Sequence, residues 1–336
     1  MLKPNPKTHD QFSLPTSAIV FIAGCGRSGT TYLRTIVDAH PDIFIPSESL
    51  FLIDYLKYAA NVPKRVLSWL FFNEPQLKAW YRGRPFRISN IQHAICHVHE
   101  HDAFRNGARI WGQKTPRFIR HMGLFNLYFQ NIKWILIYRD PRAVVASMLQ
   151  SKRHTYAVSS ACRRWLKDNR PIIQILKARN SSDNILIVKY EDLIENTEES
   201  VANVFDFLGV PPVRTESLPR SARSPKLKGT RFVPNAVRNG LTPQMNRINA
   251  WSQVLSRQQI QYIETKCARE MRFFGYTPFP AHNSSRAVPG AYISFDWAKD
   301  LLIVNEYLRK WPQYLFHVFC RKVFLIMCDV IKRLPG

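Results

Sequence analysis

Acidic residues are scarce in this chain. Only 24 Asp and Glu stand against 48 Lys and Arg in 336 residues, a formal net charge of +24. A field of that sign attracts nucleotides, acidic sugars, anionic lipid or nucleic acid, and says nothing about fold. Long apolar runs are missing too, since no stretch reaches the roughly 18 apolar residues of a membrane-spanning helix. Residues 1–17 (MLKPNPKTHDQFSLPTS) read as a loose leader without the apolar segment of a secretory signal. A cytoplasmic location is the expectation. The six cysteines, Cys25, Cys96, Cys162, Cys267, Cys320 and Cys328, have no CxxC or zinc-finger spacing. They read as free thiols of a reducing compartment. With no clustered metal ligands, no metal is expected. With no helix-turn-helix, zinc-finger or RNA-recognition signature, no nucleic-acid partner is expected either. Repeats and low-complexity stretches are absent.

What is present suffices for a large core. Apolar residues make up 46% of the chain and aromatic residues 12%, which excludes wholesale disorder. The length suits one α/β domain, assigned here to 18–280, with an extension over 281–336. Residues 18–24 (AIVFIAG) form a short, continuous apolar run that predicts a strand buried on both faces. Further strands are expected at 109–113, 133–138 and 184–189. Helices are expected at 29–39, 141–149, 156–179, 198–208 and 256–274, with several more between 48 and 108. Strands alternating with helices imply right-handed crossovers and a parallel sheet covered on both faces.

The most informative stretch is Gly24-Cys-Gly-Arg-Ser-Gly-Thr-Thr31, between the first strand and the first helix. Glycines let the backbone approach a ligand, and a helix N-terminus offers free N–H groups and a positive dipole end. Arg27 adds charge, and Ser28, Thr30 and Thr31 add hydroxyls. The spacing from Gly24 to Gly29 is that of a P-loop, yet Thr30 stands where the lysine of a nucleoside triphosphatase belongs. That points away from ATP or GTP hydrolysis and towards another phosphorylated donor. A second anion site is expected where the 133–138 strand ends. Arg139 stands there, with Ser147 eight residues on, and an Arg fork with a hydroxyl suits a phosphate monoester. Asp140 is placed to cap the following helix, with Pro141 at its first position.

Together these two elements resemble the PAPS-dependent sulfotransferase superfamily (PAPS is 3′-phosphoadenosine 5′-phosphosulfate), over roughly residues 18–275. The likeness is closer to its tyrosylprotein, carbohydrate and bacterial branches than to the classical cytosolic one. The helix and turn from Thr31 through Asp42, the Lys189-Tyr190-Glu191-Asp192-Leu193 segment and Phe274-Gly275-Tyr276 are similar to family landmarks. The resemblance implies a P-loop-type fold and PAPS as donor. It implies that Gly26, Arg27, Ser28, Gly29, Thr30 and Thr31 hold the 5′-phosphosulfate, and Arg139 and Ser147 the 3′-phosphate. Tyr190 would lie by the adenosine or pack in the core. Ser224, Lys226, Lys228 and Arg231 are candidates for a loop closing over the 3′-phosphate.

The cytosolic branch uses a His two residues after a Lys, whereas this chain reads Lys114-Thr115-Pro116. The tyrosylprotein-like branches use a Glu after the first loop, and Glu48 matches that place. The resemblance therefore implies Glu48 as base, with Lys114 and Arg27 neutralising charge on the leaving oxygen. The acceptor is a hydroxyl or amine of a natural product, carbohydrate or lipid. His93, His97, His99 and His101 form an ordinary polar face or an acceptor-side patch.

In the extension, Leu315, Phe319, Val323, Ile326, Val330 and Leu334 recur at helical spacing among Arg321, Lys322, Lys332 and Arg333. Packing of this stripe on the body or on a second subunit, as in a homodimer, is preferred to peripheral contact with an anionic membrane. A nucleotide kinase and a non-catalytic basic binding protein are the rival readings.

Overall fold

A computed structural model describes residues 19–151, 157–178, 183–212, 246–279 and 312–331. The leader, much of the extension, and Ser224, Lys226, Lys228 and Arg231 lie outside the described residues.

Five parallel strands form one sheet in the order β2-β3-β1-β4-β5. They are β1 (Ile19–Gly24), β2 (Ile43–Phe44), β3 (Ile110–Lys114), β4 (Ile132–Tyr138) and β5 (Ile185–Lys189). Side chains alternate across a strand, and the central strands are apolar on both sides. Phe21 with Trp134 and Leu136 enters one core cluster, while Val20 and Ile22 with Ile135 and Ile137 enter the other. In the first cluster the Phe21 ring meets Phe125 and Trp134 edge-on, each at 5.2 Å between centroids. Burial of each such ring contributes about 1.5–3 kcal/mol.

Helices cover both faces. On one lie α1 (Thr30–Asp38), α9 (Tyr190–Glu195) and α10 (Thr197–Leu208), through Leu33, Ile36, Val204 and Phe205. The chain crosses from β2 to β3 through α2 (Leu52–Tyr58), α3 (Lys64–Phe72), α4 (Pro75–Lys78) and α5 (Ile91–Arg105). These pack with the opposite cluster, as do α6 (Met122–Tyr128), α7 (Pro141–Leu149), α8 (Val158–Lys177) and α11 (Arg257–Phe273). A last helix, α12 (Pro312–Ile331), packs on α2.

Local signals set the boundaries. The Asp140 side chain accepts from the Arg142 N–H at 2.8 Å, with Pro141 opening α7. Ser256 and Gln259 form a reciprocal cap on α11. Gly209, at φ 71°, ends α10.

Three sequence expectations need adjustment. The sheet has a fifth strand, β2, whose two residues are too few for periodicity to reveal. His99 is no part of a polar face. It is fully buried, stacked on Trp111 at 4.5 Å between centroids, with its ring nitrogens on Ile95 O and Gln113 Nε2. The α12 helix does pack on the body, but through Arg321 and Leu325; of the expected stripe, the side chains of Leu315 and Leu334 lie outside the described residues. Phe319, Val323, Ile326 and Val330 are exposed.

Candidate active site

The Gly24–Thr31 loop leaves the central strand at its carboxyl end, flanked by β3 and β4. Two of its glycines are sterically required. At Gly24, φ 148°, a Cβ would lie 2.2 Å from Ile137 O. At Gly29, φ 90°, a Cβ would lie 2.3 Å from the Tyr190 ring. Arg27 is itself left-handed, at φ 76°, a conformation costing a non-glycine residue about 1–3 kcal/mol. The helix that follows has no side-chain cap, so its first N–H groups are available to an anion. Beside them the fully buried Ser28 hydroxyl has no hydrogen-bond partner among the described residues. An orphaned buried donor is costly unless a ligand satisfies it. The loop thus fits a phosphate or sulfate group.

The second anion element meets the first. Arg27 Nε donates to Ser147 Oγ at 3.0 Å, and Arg139 Nη1 donates to Arg27 O at 3.3 Å. Two guanidinium-bearing residues and a hydroxyl therefore converge where β4 passes into α7. The Arg139 guanidinium lies over the Tyr190 ring at 4.0 Å, and its backbone carbonyl accepts from Trp165 Nε1 at 2.9 Å. Burial pushes the Arg139 pKa down, opposed by nearby Tyr190, Glu191 and Asp140. Glu191 in turn accepts from the Asp140 N–H at 3.1 Å and the Tyr276 hydroxyl at 3.0 Å. Burial pushes the Glu191 carboxyl above its usual range. Tyr190 is itself buried, so its ring braces Gly29 and Arg139 from below.

On the opposite side of the loop, at the end of β3, Lys114 is buried and pairs with Glu48. Its Nζ also lies 3.4 Å from Thr31 Oγ1. The Glu48 side chain is half-exposed, so one side of the pair faces solvent. Its loop is held from both ends. The Ser49 N–H donates to Thr115 Oγ1 at 3.1 Å. Within α1, Arg34 and Asp38 form a buried i,i+4 pair at 3.3 Å that grips Ile45, Arg34 on its carbonyl and Asp38 on its N–H.

The structure brings Gly26, Arg27, Ser28, Gly29, Thr30, Thr31, Glu48, Lys114, Arg139, Ser147 and Tyr190 to one region, with Arg27 turned to Ser147. Sequence reading passed over the supports: Arg34 and Asp38, Trp165, and the charged cluster under the loop. There Asp168 pairs with Arg120 and lies 3.6 Å from Arg164 Nε, and a Cβ on Gly26 would meet Arg164 Nη2 at 2.8 Å. Cys25 sits in the same place, its thiol pKa pushed up by burial and then by Asp168. The i,i+4 spacing of Arg34 with Asp38 and of Arg164 with Asp168 was the available signal.

The folded chain aligns with the sulfotransferase domain from the curacin biosynthetic pathway at a TM-score of 0.55 and 17% identity, covering 78% of this chain and 98% of that one. At that identity the likeness speaks to fold alone. In sequence, the chain is 26% identical to the protein-tyrosine sulfotransferase of Drosophila melanogaster, over 57% of this chain and 38% of that protein. It is 27% identical to protein-tyrosine sulfotransferase A of Caenorhabditis elegans, over 58% of this chain and 51% of that protein. The chain thus spans about half the length of these curated relatives or less. The family model described as the Sulfotransferase family matches residues 19–214, more than half of the chain, and covers the phosphate loop, Glu48, Lys114, Arg139, Ser147 and Tyr190. The chain belongs to the Sulfotransferase family.

Proposed function

We propose that this protein transfers a sulfuryl group from PAPS to a hydroxyl or amine of its acceptor. The observation that carries the reading is the division of charge about one loop. Arg27, Arg139 and Ser147 gather at one end, and Lys114 with Glu48 at the other. A donor phosphorylated at both the 3′ and 5′ positions of an adenosine needs two separate anion sites. Residues 26–31, with the orphaned Ser28 hydroxyl and the uncapped helix end, suit its 5′ end. Arg139 and Ser147 suit the 3′-phosphate.

PAPS supplies the sulfuryl group and leaves as 3′,5′-adenosine bisphosphate. The chain's own residues orient and balance charge. Glu48 accepts the acceptor's proton as its oxygen or nitrogen bonds to sulfur. Lys114 neutralises the oxygen released as the sulfur–oxygen bond breaks. The Arg34–Asp38 grip on Ile45 keeps the Glu48 loop at the end of β3. Family membership favours this reading over the nucleotide kinase and the non-catalytic basic protein. The names of the relatives add a peptide tyrosine hydroxyl to the natural-product, carbohydrate and lipid acceptors.

Glu48→Gln tests the chemistry. Turnover is expected to fall by on the order of 10²–10⁴-fold. Calorimetric binding of 3′,5′-adenosine bisphosphate is expected to hold within about threefold, since Gln keeps the shape and removes only charge. Full turnover would remove Glu48 as base. A preference for ATP over the bisphosphate would remove the donor assignment.

A further inference from the structure

The α12 helix has two unlike sides. Its inner side is fastened by a buried cation: Arg321 Nη1 lies 2.7 Å from Glu74 Oε2, and Nη2 lies 2.5 Å from Asp54 Oδ2. Leu325, one turn on, is completely buried. At 100° per residue, Phe319, Val323, Ile326 and Val330 fall on the opposite side, with Met327 at its border. Phe319 is 66% exposed, Met327 55% and Val330 50%. A helix fixed to the body by its charged residue and turned outward by its apolar ones reverses the usual surface arrangement.

We infer that this outward face lies flat on an anionic lipid bilayer. The charge around it favours lipid over an uncharged protein surface. Lys322 lies beside the apolar stripe, half-exposed, with its Nζ 3.8 Å from Asp54 Oδ1. The sequence sets Arg309-Lys310 shortly before the helix and Lys332-Arg333 directly after it, with Asp329 the one acid within. Basic residues that flank an apolar stretch in the sequence suit pairing with anionic headgroups while the apolar face enters the acyl boundary. The net charge of +24 draws the whole molecule to the same surface. No helix among the described residues is long and apolar enough to cross a membrane, which suits a helix in the plane of the surface. Since α12 packs on α2, which begins four residues after Glu48, docking would also bring the acceptor side of the molecule to the lipid.

The test uses the full chain and vesicles of phosphatidylcholine with or without phosphatidylserine, read by flotation, so it stands apart from turnover. Binding to the anionic vesicles is expected, with release as salt screens the basic residues. The triple variant Phe319→Ser, Val323→Ser, Ile326→Ser should lower partitioning on the order of a hundredfold. Its melting temperature should hold, because those side chains are already exposed.

Absence of vesicle binding in the parent overturns the inference, as does a triple variant that binds as the parent does. A parent dimer that the triple variant converts to a monomer would assign the face to a second copy instead. A triple variant that melts lower without losing vesicle binding would assign it to the chain's own remaining residues.

Discussion

Replacing Arg139 by Ala removes one guanidinium that the fold has gone to some length to hold. Its charge is nearly buried, stacked on Tyr190 at 4.0 Å, and aligned by the Trp165 indole on its backbone carbonyl. Two charge-assisted contacts to a phosphate, at about 1.5–3 kcal/mol each, give about 3–6 kcal/mol. That is a loss of on the order of 10²–10⁴-fold in affinity for 3′,5′-adenosine bisphosphate. A nucleotide without the 3′-phosphate should weaken by less than about tenfold, because it loses only the Arg139 brace on the Arg27 carbonyl. The fold should tolerate the change. Glu191 keeps the Asp140 N–H and the Tyr276 hydroxyl when its cationic neighbour is gone. Arg139→Lys should fall between, by about tenfold, since it restores the charge but neither the fork nor the stack. Calorimetry with both nucleotides, beside a melting curve for each variant, reads the result. Equal weakening of both ligands, or none, would refute the 3′-phosphate assignment.

Gly29→Ala forces a side chain into φ 90° and a Cβ to 2.3 Å from the Tyr190 ring; bisphosphate affinity should fall at least about tenfold, and thermal denaturation should show a loss of about 2 kcal/mol or more. Arg321→Met removes the guanidinium beside the buried Glu74 carboxylate, which also accepts from the Tyr55 hydroxyl; urea unfolding should show a loss of about 3–5 kcal/mol, and adding Glu74→Gln should recover part of it non-additively. Burial lowers the His99 pKa from 6.5 to about 4, so the unfolded chain takes up this proton first as pH falls. The neutral ring's contribution is complete above about pH 6.5 and is lost towards pH 4, up to about 3 kcal/mol; His99→Gln should flatten that part of the stability profile, and an unchanged slope would contradict the assignment.

Much of the geometry around the first loop was legible because it is local. A buried strand, a glycine turn and a helix start are consecutive in the chain, and Arg139, Asp140 and Pro141 announce a strand end and a helix cap together. The strands at 132–138 and 185–189 and the helix at 141–149 fell at or within a residue of expectation for the same reason. What sequence did not give depends on distant partners. Glu48 and Lys114 are 66 residues apart, and their pairing follows from β2 and β3 lying side by side. Arg321 read as one basic residue among several. Its burial depends on Asp54 and Glu74, about 250 residues earlier. The stripe at Phe319 and Val323 was visible as periodicity, but periodicity cannot say which way a stripe faces when both sides of a helix carry apolar residues. His99 looked polar by composition and is core by its stacking on Trp111.

The place of β1 between β3 and β4 has a consequence for how such proteins diversify. The strands on one side of it carry the residues assigned to the donor, and the strands on the other carry Glu48, Lys114 and the helical crossover of residues 45–109. The two halves meet at the central loop and in the core cluster that joins α2–α5 with α7 and α8. A crossover exchanged between two members of the family, cut after Ile45 and before Ile110, should therefore import a new acceptor preference while the recipient's nucleotide affinity stays its own. Substrate range can drift quickly in one half because the other half is under separate constraint.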